Sequence, residues 1–263
     1  MTGSGNDFVM VDGRVSGPAE WTPEDIRALC ARGTGIGADG LVFVAPGSTP
    51  GAARMIYYNS DGSHAAMCGN AALCSTTLAA YLNLGTPEGI TLETDAGVYR
   101  SRSAGPGSAE LNLAPVEAAR AVAGLRLAEG ERQAALGIVG VPHLVVVVGD
   151  LEAIDLPGRG RALRNDSALG PAGANVNFIA QTAAGWAMRT YERGVEGETL
   201  ACGTGAVAAA CALAEWGLGE LPIHIHTRSG RELTIRAQKG AGGRYEDVWL
   251  VGEGRMVFRG VVT

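Results

Sequence analysis

Lysine is almost missing from this chain. One occurs, Lys239, against twenty arginines, and it lies in the glycine-rich turn Gln238-Lys239-Gly240-Ala241-Gly242-Gly243. Pyridoxal phosphate needs a lysine held in a pocket for its Schiff base, so no such cofactor is expected. Aromatic residues are scarce too: they make up 5% of the chain against 46% apolar in all, which describes a core of aliphatic and small side chains. No basic block offsets the net charge of −6, so nucleic acid and anionic membranes have no electrostatic footing. A small molecule is the expected partner. The five cysteines are odd in number and lack close paired spacing, unlike a disulfide scaffold or a zinc site. A reducing cytoplasm is therefore the expected location. No secretory leader is read at the start, because the chain enters the polar turn Gly3-Ser4-Gly5-Asn6-Asp7 at once. One uncharged stretch holding a cysteine, Thr199 to Ala214, spans 16 residues and is interrupted by glycine. It suits a helix buried in protein rather than a membrane span.

What is present is a repeat. The stretch Glu192-Arg193-Gly194-Val195-Glu196-Gly197-Glu198-Thr199-Leu200-Ala201-Cys202-Gly203-Thr204-Gly205-Ala206 is a polar turn running into an uncharged helix, with the cysteine where the helix begins. An earlier stretch, Asn59-Ser60-Asp61-Gly62-Ser63-His64-Ala65-Ala66-Met67-Cys68-Gly69-Asn70-Ala71-Ala72, follows the same plan. The cysteines stand 134 positions apart (202 less 68), about half of the 263 residues. Each is followed by a hairpin pattern, Ile90 to Thr94 with the turn Asp95-Ala96-Gly97, and Ile223 to Thr227 with the turn Arg228-Ser229-Gly230. So long a period indicates a duplicated domain rather than a solenoid.

A cysteine at a helix start has chemical consequences. The unpaired N–H groups and the dipole there favour an anion, which lowers a thiol pKa, and the same groups can hold a substrate carboxylate. Two such ends facing one carbon could take a proton from one side and return one to the other.

Along the chain, Asp7–Asp12, Leu41–Ala45, Arg54–Tyr58, Ala109–Leu113, Leu144–Val148, Asn175–Ala180 and Trp186–Tyr191 read as strands, and so do Asp247–Val251 and Arg255–Val262 in the tail. Thr22 is a helix cap, with Pro23 at the first position and a run to about Arg32; a second helix covers Asn70 to Leu82. Pro115 to Glu131 reads as a crossover, and Asp150 to Ala172 as polar and partly helical. The fold class expected is α+β, with two pseudo-symmetric domains, each a mostly antiparallel sheet around a central helix. The halves are placed at 1–115 and 116–252, with a strand at about 253–263 returning to the first.

Several motifs carry a resemblance. Gly5-Asn6-Asp7-Phe8, Gly35-Ile36-Gly37-Ala38-Asp39-Gly40, Asn59-x-Asp61-Gly62-Ser63, Met67-Cys68-Gly69-Asn70, Pro142-His143, Asn175-Val176-Asn177-Phe178 and the Glu192 to Gly205 block occur over nearly the whole chain. In that order they resemble the diaminopimelate epimerase family. The resemblance implies interconversion of LL- and meso-2,6-diaminopimelate, a step toward lysine and peptidoglycan precursors, without cofactor or metal. It implies that Cys68 and Cys202 are the catalytic pair, one protonated and one not. Gly69, Asn70, Gly203 and Thr204 would present amides to the α-carboxylate, and Asn6, Asn59, Asn175, Glu192 and Arg193 would position the substrate. Arg193 suits a bidentate grip on the distal carboxylate, and His143 and Glu192 would tune the thiol pKa values. The sequence departs from the family pattern at Ala71 and Leu73, where a glycine and an arginine are frequent, at Val141, where asparagine is usual, and at Gly40, where some members use glutamine.

Other readings compete. Cys30, Cys74 and Cys211 lie in helical or apolar surroundings and read as buried small hydrophobes. His224 and His226 share a strand face, but no third metal ligand is apparent. A proline or hydroxyproline racemase shares the two-cysteine plan, but its one-carboxylate substrate has no distal group to occupy Arg193. A dithiol redox protein is disfavoured by the lack of Cys-x-x-Cys, and a binding protein would leave both thiols dispensable. A homodimer is the expected assembly.

Overall fold

The computed structural model describes residues 1–86 and 88–262. The chain forms two compact units, Met1–Leu113 with Val251–Thr263, and Ala114–Leu250.

In the first unit the strand Asn6–Asp12 pairs parallel with Gly40–Pro46, which pairs antiparallel with Ala52–Asn59. The last of these pairs parallel with Ile90–Thr94, and an antiparallel meander continues through Gly97–Gly105 and Ser108–Leu113. Between Gly3–Asn6 pairing at one end and this meander, two helices are inserted. Helix α1, Pro23–Cys30, begins in a reciprocal cap: Thr22 Oγ1 accepts from the Asp25 amide while the Asp25 carboxylate accepts from the Thr22 amide. It buries Ile26, Leu29 and Cys30 against Leu41 and Phe43. Helix α2, Gly69–Tyr81, carries no charge and buries nine of its thirteen residues. It therefore serves as the core of its unit rather than as a cover. Leu73 and Leu78, both buried, each contribute about 1.5–3 kcal/mol by leaving water.

The second unit repeats this plan. Val141–Val148 pairs parallel with Asn175–Thr182, which pairs antiparallel with Gly185–Glu192; that strand pairs parallel with Ile223–Thr227, followed by antiparallel Glu232–Lys239. A short helix α3, Arg161–Arg164, lies in the polar connection. Helix α4, Gly203–Glu215, buries ten of its thirteen residues and is charge-free until its last. The two central helices also end alike. Asn83 (φ 57) and Gly217 (φ 67) turn left-handed, and the next amides, of Leu84 and Leu218, donate back to Ala79 O and Leu213 O, each at 2.9 Å. The sheets are α+β in class and mixed in detail, with antiparallel pairings in the majority.

Three expectations need correction. The tail holds no strand over Arg255–Val262: Arg255 makes an isolated bridge to Thr2, and Val257, Phe258, Val261 and Val262 are exposed. Its apolar spacing mimics a strand, but no sheet face receives it. The preceding strand runs longer than Asp247–Val251, over Arg244–Glu253. The crossover from Pro115 to Glu131 includes a short strand, Val116–Glu117, and leads into the strand Glu131–Val139, which forms a hairpin with Val141–Val148 about Gly140 (φ 69). Its weak β-formers Ala134, Ala135 and Gly137 hid it from the sequence pattern. Among the described residues no helix is long and apolar enough to cross a membrane.

Candidate active site

Each central helix starts from a cysteine in extended backbone. Cys68 (φ −142, ψ 123) precedes α2, and Cys202 (φ −131, ψ 105) precedes α4. Their carbonyls accept the first helical bonds, from Ala72 N and Ala206 N, each at 2.9 Å. Neither cysteine side chain caps its helix, and neither first turn contains an acidic residue. The positive end of each dipole thus keeps its affinity for an anion.

In the second unit Cys202 is buried, and its Sγ lies 3.8 Å from Thr204 Oγ1. Gly205 makes room for it: a Cβ there would fall 3.1 Å from Cys202 Sγ and 2.3 Å from Asn177 Oδ1. Asn177 is fully buried and takes a hydrogen bond from Thr190 Oγ1 at 3.0 Å. Its Nδ2 lies 3.3 Å from both Leu144 O and His143 Nδ1. His143 and Asn175 are partners on adjoining parallel strands. Asn175 Oδ1 accepts from the Arg193 amide at 2.7 Å and so fixes the start of the polar turn, while Arg193 Nη1 reaches Ala172 O at 3.4 Å.

In the first unit Asn70 Nδ2 donates to Asn6 Oδ1 at 2.6 Å, and Asn6 Nδ2 donates to Asp39 Oδ2 at 2.9 Å. Arg32 bridges Asp7 and Asp39, at 2.6 and 2.9 Å. This pair of bridges holds Asp7 below the usual carboxylate range, chiefly through the Arg32 hydrogen bonds. Asn59 ties off its own turn, with Nδ2 donating to Ser63 Oγ at 3.0 Å and its amide to Ser63 O at 2.9 Å.

Burial sets the electrostatics of the remaining groups. His143 is fully buried, and loss of water, with the nearby Arg193 charge, pushes its pKa down to about 3. The ring is neutral at any physiological pH. Burial raises Glu192, and the Thr199 hydroxyl beside it offsets part of the rise. Cys74 and Cys211 are pushed up to about 12, each chiefly by burial, which makes them inert thiols within the two helices.

Asn6, Asn59, Cys68, Gly69 and Asn70 therefore belong to the first unit, and His143, Asn175, Glu192, Arg193, Cys202, Gly203 and Thr204 to the second. The structure links Asn6 with Asn70, and Asn175 with Arg193. His224 is engaged elsewhere, 2.8 Å from Glu232 Oε1, and among the described residues no group of three His, Cys, Asp or Glu is arranged to hold a metal. Sequence reasoning passed over Asp39, Asn177 and Thr190 as individual site residues. A signal existed for Asn177, since it stands two positions after Asn175 on one strand and so shares its face.

Comparison with known proteins agrees with this plan. A family model described as diaminopimelate epimerase matches residues 1–115 and 137–248. A diaminopimelate epimerase from Gemmatimonas aurantiaca is 45% identical, with 100% of this chain and 98% of that protein aligned. Among solved structures, a PhzF-family phenazine biosynthesis protein from Bacillus anthracis superposes with a TM-score of 0.70 at 16% identity, covering 97% of this chain and 92% of that one. A probable proline racemase from Agrobacterium radiobacter gives 0.64 at 20% identity, covering 90% and 79%. At such identities these two structures speak to the fold.

Proposed function

The chain belongs to the diaminopimelate epimerase family, and on that premise we propose that it interconverts LL- and meso-2,6-diaminopimelate through Cys68 and Cys202. One cysteine, as thiolate, takes the α-proton; the electron pair of the broken C–H bond stays on carbon and spreads into the carboxylate. The other thiol gives its proton to the opposite face and ends as the thiolate. Nothing is oxidised or reduced, and the two cysteines have exchanged states. In the reverse direction their roles swap.

The observation that carries this reading is the duplicated helix start. Two uncapped, acid-free helix ends each present a thiol together with backbone amides. The amides of Gly69 and Asn70, and of Gly203 and Thr204, serve the α-carboxylate, where charge accumulates as the proton leaves. An α-proton is far less acidic than a thiol, so this preorganised field must do much of the stabilising, helped by exclusion of water. Arg193 grips the distal carboxylate, and Asn6, Asn59, Asn175 and Glu192 orient the chain between. His143 and Glu192 adjust the thiols. No pyridoxal phosphate or metal enters the scheme. Val141 stands where the family pattern has asparagine, so the amide contact that pattern supplies to the substrate is absent from this scheme.

The test is solvent-deuterium exchange. The reduced protein should exchange the α-hydrogen of LL-diaminopimelate and epimerise it with no added cofactor, and Cys68→Ala or Cys202→Ala should each abolish epimerisation. Racemisation of proline with diaminopimelate inert would reassign the substrate. Full activity in either cysteine variant would end the two-thiol scheme.

A further inference from the structure

Resting on that epimerase reading, we propose that Asn177 is a positioning residue that holds His143 as the neutral Nε2–H imidazole, so that His143 meets the site as a hydrogen-bond donor and not as a base. The assignment follows from which atoms can only accept. Asn177 is fully buried and has three polar neighbours in its unit: Thr190 Oγ1 at 3.0 Å from Oδ1, and Leu144 O and His143 Nδ1, both at 3.3 Å from Nδ2. A hydroxyl can serve in either role, so Thr190 alone decides nothing. The Leu144 carbonyl decides, because it can only accept, and the amide atom facing it must be the NH2 group. The opposite orientation would set two oxygens against each other at a fully buried position. The second hydrogen of that NH2 group is then directed at His143 Nδ1, which must supply a lone pair, so the ring proton sits on Nε2.

His143 Nε2 is buried and has no partner among the described residues. It is a donor kept for an atom that arrives with the substrate or with an ionised thiol. The charges around the ring favour the same state. The adjoining strand Asn175–Thr182 carries no charged residue, Gly137 stands opposite on the other neighbouring strand, and Arg193 is the charge acting on the imidazole. A neutral Nε2–H can donate to a thiolate or a carboxylate, but Nε2 then has no lone pair with which to take a proton from a thiol. Proton traffic is thereby confined to the two thiols, which a two-base exchange requires: an imidazole able to accept would divert the proton meant for the substrate carbon. Asn177 also reaches toward the thiol, since it and Cys202 Sγ share the space over Gly205.

The experiment reads the tautomer directly and without substrate. In the His64→Gln, His224→Gln, His226→Gln triple variant His143 is the one remaining histidine. Nitrogen-15 histidine NMR from roughly pH 6 to 8 should show one neutral Nε2–H tautomer that does not titrate. Thr190→Ser, which keeps the hydroxyl, should preserve it. Asn177→Asp places an acceptor opposite Nδ1 and should move the proton to Nδ1, with kcat lost by about 10- to 100-fold, the scale typical of residues that orient a catalytic group. An Nδ1–H ring, an imidazolium at neutral pH or a mixture of tautomers in the protein with native Asn177 would overturn the proposal. The Nε2–H signature in a protein that fails to exchange diaminopimelate would sink the epimerase reading and leave this assignment standing. Epimerisation by a protein with an Nδ1–H ring would do the reverse.

Discussion

Gly205→Ala isolates the geometry of the candidate site in one methyl group. Gly205 lies inside α4 and has no positive φ, so alanine can adopt its backbone and gains about 1 kcal/mol of helix propensity. The added Cβ would nevertheless stand 2.3 Å from Asn177 Oδ1, about 1 Å inside ordinary contact, and 3.1 Å from Cys202 Sγ. Asn177 cannot simply swing away, because Thr190, Leu144 and His143 hold it and it is fully buried. Overpacking of this kind costs about 1–3 kcal/mol, and each displaced hydrogen bond about 0.5–1.5 kcal/mol. The penalty outweighs the propensity gain, leaving a net loss of about 1–3 kcal/mol. Urea unfolding measures that loss, and α-hydrogen exchange should fall with it as Cys202 is pushed out of place. Ala71, the residue at the matching place in α2, is the control: Ala71→Gly should cost about 1 kcal/mol through helix propensity. A Gly205→Ala protein more stable than its parent, exchanging at the parental rate, would refute the claim that this glycine exists to seat the thiol and the amide.

Three further outcomes are expected. Burial raises Glu192, so the folded state holds its proton more tightly than the unfolded chain; that contribution is complete below the ordinary glutamate value of 4.5 and is lost as pH rises from there through the raised pKa. Glu192→Gln should therefore gain stability on the parent over that window, and identical pH profiles in urea unfolding would count against it. Thr22→Ala removes the hydroxyl half of the α1 cap and should cost about 1 kcal/mol, read as a lower unfolding midpoint. Asp39→Asn removes the acceptor that orients Asn6 and half of the Arg32 bridge; KM for diaminopimelate should rise several-fold, and an unchanged KM would detach Asp39 from the site.

How legible was this in the sequence? The two cysteine helices were, because Cys-Gly followed by uncharged small residues recurs with its hairpin, and a charge-free helix has nowhere to go but inside. The α1 cap was legible for the same local reason, Thr22-Pro23 with Asp25 three positions on. Long-range pairing was not. Nothing local to Met256-Val257-Phe258 says that no sheet face awaits it, and Ala134, Ala135 and Gly137 are too small to announce a strand that their hairpin partner stabilises. The tautomer logic at Asn177 was beyond sequence altogether, since it depends on a carbonyl thirty-three positions earlier lying 3.3 Å away.

The bare starts of α2 and α4 expose a conflict between durability and chemistry. A serine or aspartate at either cysteine position would accept a hydrogen bond from a first-turn amide and strengthen its helix by about 1 kcal/mol. Selection for thermal robustness alone would therefore erase both sulfur atoms. Stabilising consensus schemes applied to this protein should leave positions 68 and 202 alone, and their persistence among hardier variants would mark where catalysis, not folding, set the terms.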